Sequence, residues 1–143
     1  MLRKLIVTAC AMGVSVAALS TAALAHHAFA AEFDADKPLK LQGTVTKWEL
    51  VNPHSWIHLD VKGADGKVTE WMVEGGSPNS LFRLGFTKDA LTPGTAIVVE
   101  GYAAKDGSPR AVGSSLTFPN GKRLFLSSSA ANGAAPGSDG AEK

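Results

Sequence analysis

The chain has 143 residues, 45% hydrophobic and 19% charged, with 14 basic against 13 acidic side chains and a formal charge of +1. So even a balance, with no basic run, leaves no electrostatic footing for nucleic acid, which is held by clustered cationic side chains. A single cysteine, Cys10, excludes an intrachain disulfide and a thiolate metal cluster.

Residues 1–25 read as a cleavable secretory signal. Arg3 and Lys4 precede an apolar run from Leu5 to Leu19, no acidic residue occurs before Glu32, and Ala23-Leu24-Ala25 supplies the small-x-small pattern that precedes a cleavage site. The apolar run is shorter than the roughly 20 residues a membrane-spanning helix needs. No basic stop-transfer flank follows it, so no span is expected to remain after cleavage. Val7-Thr8-Ala9-Cys10 loosely resembles a lipobox, but only about five apolar residues separate Lys4 from Cys10, too few for a signal's hydrophobic region. The expected mature chain starts at His26, is periplasmic, lacks cysteine and carries a formal charge of −1 once Arg3 and Lys4 are gone.

The mature length is that of one domain. An N-terminal arm is expected at 26–37, a folded domain at 38–129 and a disordered tail at 130–143, where Ala, Gly and Ser leave little to bury. A first strand is predicted from Leu39 to Leu50, with Thr44, Thr46, Trp48 and Leu50 on one face and Val45 on the other. Asn52-Pro53 ends it, because proline offers no N–H and restricts its predecessor. A second strand, Ser55 to Val61, alternates Trp56, His58 and Asp60 with Ile57, Leu59 and Val61. Asp65-Gly66 makes a hairpin turn into a third strand, Val68 to Glu74.

A short helix follows, with Ser77 as N-cap, Pro78 at its first position and Gly85 as a left-handed stop. Another single turn starts at Thr87, and Thr92-Pro93-Gly94 breaks the chain. Thr95 to Ala103 is the most strongly patterned strand, with Ile97, Val98 and Val99 at its centre. Ala111 to Phe118 and Arg123 to Leu126 complete the set, joined at Asn120-Gly121, a type I′ signal. Three strands, a helix and two or three further strands give a mainly β chain. The predicted fold is a small, partly open OB-fold-like Greek-key barrel of five to six strands with one short helix between strands 3 and 4.

Chemistry concentrates near the start. A mature N-terminal histidine offers its α-amine and ring nitrogen as one chelate, so His26 and His27, with His54 or His58, are candidate metal ligands. Tetragonal nitrogen donors of this kind favour Cu(II), which makes copper the possible cofactor. In that respect the terminus resembles the histidine brace of copper monooxygenases and the N-terminal histidine of periplasmic copper carriers. Trp48, Trp56 and Trp71 fall one on each of the first three strands, where core packing accounts for them as readily as ligand stacking. Trp56 and Asp60, which share a face with His58, are the candidate ligand-binding residues. No Gly-x-Ser-x-Gly, His-Glu-x-x-His or phosphate loop occurs.

The chain also resembles an uncharacterised family of small exported bacterial proteins. The resemblance rests on His26-His27-Ala28-Phe29, Glu32-Phe33-Asp34, Gly43 with Val45, Asn52-Pro53-His54 with Trp56, Gly76 to Asn79, Leu91 with Pro93-Gly94, Glu100 to Tyr102 and Lys105 to Gly107. It spans Ala25 to Phe125 and implies export and one β-barrel-like domain, with no catalytic residues to carry over. More distantly, Pro93-Gly94 and Ile97 to Gly101 are similar to periplasmic OB-fold binding modules. The leading expectation is an exported, non-catalytic binding module of the bacterial envelope, for a small molecule or an envelope protein. A periplasmic copper-binding protein using the N-terminal histidine is the alternative, and a small hydrolase or isomerase near His58 and Asp60 a weaker one.

Overall fold

The computed structural model describes residues 31–127, so the expected signal, His26, His27, Phe29 and the tail at 130–143 lie outside the described residues. Six strands and a helix follow in the order β1 (Phe33–Glu49), β2 (Ser55–Lys62), β3 (Val68–Gly75), α1 (Pro78–Arg83), β4 (Ala96–Ala104), β5 (Arg110–Thr117) and β6 (Arg123–Phe125). Antiparallel pairing runs β3-β2-β1-β4-β5-β6. A parallel pairing of Met72, Val73 and Glu74 with Arg110, Ala111 and Val112 then joins β3 to β5. Five strands therefore form a ring of hydrogen bonds, and β6 rides on the far half of β5. With only three residue pairs at the join, the barrel is partly open and OB-fold-like, as the element order predicts.

The first strand departs from expectation at its start and in its pattern. It begins at Phe33, not Leu39, so residues 33–37 of the expected arm belong to the sheet. Phe33 is buried opposite Ala104, whereas residues 35–38 stay exposed. The large ring is what gains from docking the segment. A bulge further on places Thr46 and Lys47 against the single residue His58. The extra residue flips the alternation, because side chains change face every residue. Trp48 and Leu50 therefore turn to the same side as Val45 and pack on the core, with Trp48 tilted against Phe86 at 5.7 Å between centroids.

Gly43 is where β1 pairs with both neighbours, Val61 of β2 on one side and Ile97 of β4 on the other. A β-carbon there would strike the carbonyl of Asp60 and the side chain of Leu59. Inside the ring, Val45, Ile57, Leu59, Val73, Ile97, Val99 and Leu116 form the core. The helix adds Leu81, which is fully buried. Its start matches the sequence signal, since Ser77 Oγ accepts from the Ser80 amide and Pro78 follows directly.

The turn at Asn120-Gly121 is not type I′. Type I′ needs positive φ at both central residues, yet only Gly121 has it, at 83°. Pro119 fixes a negative φ at the first turn position, so the loop has three residues: the Gly121 amide donates to Phe118 O and the Phe118 amide to Lys122 O.

Gly43→Ala is expected to destabilise the protein by about 2 to 4 kcal/mol, because the methyl group meets backbone that cannot move without breaking the β1–β2 ladder. Gln42→Ala, on the exposed side of the same strand, is expected to stay within about 0.5 kcal/mol of the parent. Urea denaturation of both variants checks the contrast, and equal midpoints would show that the close approach is not limiting.

Candidate functional site

Pairing register, not sequence proximity, assembles the site. Trp56 lies directly opposite Glu74 across the β2–β3 ladder, and Glu74 lies opposite Val112 across the β3–β5 join. His54 immediately precedes β2, after a cis Asn52–Pro53 peptide bond. The start of the described chain closes over the same place, because the Lys105 amide donates to Glu32 O at 2.9 Å. These segments enclose a cleft of about 510 Å³ lined by Glu32, Phe33, His54, Trp56, Glu74 and Arg110, with Val112, Leu126, Ser127 and glycines 75, 76 and 113.

Charge inside the cleft alternates in sign. Arg110 stacks 5.7 Å from the Trp56 ring centroid and donates to a Glu32 carboxylate oxygen at 3.3 Å. His54 Nδ1 contacts Glu74 Oε1. The contact engages Nδ1 and leaves Nε2, on a ring that is half exposed, without a partner among the described residues. The Glu74 side chain is only 13% exposed. Burial raises its carboxyl above the ordinary range, with the nearby Glu32 charge acting in the same direction and His54 and Arg110 opposing them.

The sequence-derived candidates separate. His54 and Trp56 line this cleft, whereas His58 and Asp60 do not. His58 projects from the same face of β2 as Trp56 but lies between two other carboxylates. Its Nδ1 is 3.2 Å from Glu70 Oε1, and its Nε2 is 3.8 Å from Glu49 Oε2, an ion-pair separation too long for a hydrogen bond. Glu49 is bonded first to Lys47, which with His58 holds its carboxyl below the ordinary range. Asp60 is half-buried opposite Thr44 and Glu70. Among the described residues, no three His, Cys, Asp or Glu side chains converge to hold a metal ion. No helix there is long and apolar enough to cross a membrane.

Arg110, Glu74 and Glu32 were not singled out by sequence reasoning. Arg110 follows a turn, and the two glutamates look like many others. The usable signal was the fold itself: closing an OB-like ring sets β3 beside β5 and so places Glu74 near the start of β5.

The chain belongs to a family of unknown function (DUF6152), which matches residues 13–113 and so takes in β1 to β4 and the first half of β5. No curated protein and no solved structure matches it.

The raised carboxyl of Glu74 predicts a pH signature. Its folded form holds the proton more tightly than its unfolded form, so its contribution to stability is complete below the unfolded value near 4.5 and is lost as pH rises through the higher folded value. Relative to Glu74→Gln, which cannot ionise, the parent is expected to lose stability as pH rises from mildly acidic to neutral. Urea midpoints of the two proteins across that range test it, and a difference that does not change with pH contradicts the assignment.

Proposed function

We propose that the chain is an exported, non-catalytic binding module of the bacterial envelope, its leader removed after Ala25, and that its ligand occupies the cleft beside Trp56. The observation that carries this reading is the convergence, on strands and strand ends of a hydrogen-bonded ring, of two aromatic side chains, a further apolar lining and charges of both signs in a concavity of ligand size. The charged groups are already paired with one another, Glu32 with Arg110 and Glu74 with His54. Such pairing suits recognition by exchange of partners with a charged ligand. The hydrolase or isomerase reading finds less support, since His58 and Asp60 lie away from this cleft.

Copper binding is the second reading, and two observations favour His54 over His58 for it. Glu74 holds His54 through Nδ1 and leaves Nε2 unengaged, the arrangement in which a carboxylate orients a metal-ligating histidine. Glu32 lines the same cleft and follows His26 by six residues, a reach of at most about 20 Å.

Thermal shift with a small-molecule library compares the parent with Val112→Phe, which fills the cleft, and Trp56→Ala, which removes its aromatic wall. Ligands that raise the parent's melting temperature are expected to lose most of that effect in both variants. A library yielding no stabilising compound, or ligands indifferent to both substitutions, counts against the cleft.

For the copper reading, Cu(II) is titrated into protein starting at His26 and into protein extended by one residue. Binding tighter than micromolar, lost on extension and weakened at least about tenfold by His54→Ala but not by His58→Ala, is expected. Equal weak binding by all four proteins removes this reading.

A further inference from the structure

The cleft's charge pattern narrows the class of ligand. Glu74, the least exposed of its charged groups, has one carboxylate oxygen on His54. Arg110 sends one hydrogen bond to Glu32 from a guanidinium that carries five N–H donors, and both of those side chains remain substantially in water. Glu74 lies opposite Val112 and Met72 opposite Arg110, so Glu74 and Arg110 are diagonal neighbours across the β3–β5 pairing. At such a step the backbone positions are on the order of 7 Å apart, within reach of one small molecule for two long side chains.

Each simpler ligand leaves a charge badly placed. An apolar molecule seated on Phe33, Val112 and Leu126 removes water from Glu74 and Arg110 and returns nothing to them. A lone cation suits Glu74 and Glu32 but meets the Arg110 guanidinium already lying over Trp56. A lone anion suits Arg110 and faces the two glutamates. Resting on the binding reading above, we infer that the cleft takes a small zwitterion with an apolar side chain. Its ammonium sits at Glu74 and its carboxylate at Arg110, and its apolar part lies against Phe33, Val112 and Leu126. A free amino acid and a short peptide share this chemistry, and a volume near 510 Å³ admits either.

Calorimetric titration of the mature protein with phenylalanine, phenylalanyl-phenylalanine, phenethylamine and hydrocinnamate tests it, the last two lacking the carboxylate and the ammonium respectively. At least one of the two zwitterions is expected to bind about tenfold or more tightly than either singly charged analogue, and whichever binds better identifies the source. Arg110→Gln is expected to reduce the zwitterion to the level of the amine, and Glu74→Gln to the level of the acid. Circular dichroism confirms that both variants are folded. The inference is overturned if the amine or the acid alone binds as tightly as both zwitterions, or if none of the four binds. If singly charged or neutral compounds bind instead and Val112→Phe abolishes that binding, the binding-module reading stands and the zwitterion assignment falls.

Discussion

The structure depends on one strand serving two partners. β1 gives its first half to β4 and its second half to β2, and the two pairings overlap at Gly43 and Thr44. At Gly43 the strand passes so close to the Asp60 carbonyl that a side chain has no room. Without that overlap β2-β3 and β4-β5 would be separate hairpins, each too small to bury its own apolar face. Bridged by β1, they curl until β3 reaches β5 and a shared interior closes around Leu59, Val73 and Val99.

The same bridge decides what the outer surface carries. The bulge at Thr46 shifts the register by one residue, which packs the Trp48 ring against the core and leaves Lys47 and Glu49 on the outer face beside His58 and Trp56. A regular ladder would have put Trp48 outside and Lys47 inside, an unpaired charge in an apolar interior. His58 is then enclosed by Glu49 and Glu70 from the strands on either side. It reads as a cross-strand clasp, whereas His54, at the strand's mouth, is held by Glu74 through one ring nitrogen on a half-exposed side chain.

Closure of the ring by only three residue pairs leaves room for the cleft. Past Val112 the strands diverge, and β5 turns its free edge to β6. The Gly76 amide donates to Leu126 O, drawing the chain after β6 against the start of the helix segment. The concavity left between these segments brings together five elements of the chain that are distant in sequence. Its opposed charges lie on strands and strand ends, where the ladder holds their backbone still, a rigidity that suits the proposed binding role.

Much of the architecture was legible because it is set by local rules. Alternation at Trp56 to Val61, the N-cap Ser77 before Pro78, and the positive-φ glycines 66, 85, 94 and 107 specify strands, helix and breaks from nearest-neighbour sterics and burial, which operate within a few residues. The limits of β1 were not legible: Phe33 joins the sheet because Ala104 offers it a buried place, and Trp48 faces inward because of a bulge defined only by two strands in register. Nor did Asn-Gly reveal its turn alone, since Pro119 overrode it. Of the candidate site, the sequence by itself marked Trp56 and His54 as chemically notable. Only the tertiary structure decided that His54 belongs with Glu74, that His58 belongs elsewhere, and that Arg110 and Glu32 complete the cleft. A charge constellation is a statement about distances across strands, and those distances are set by pairing register that no single strand encodes.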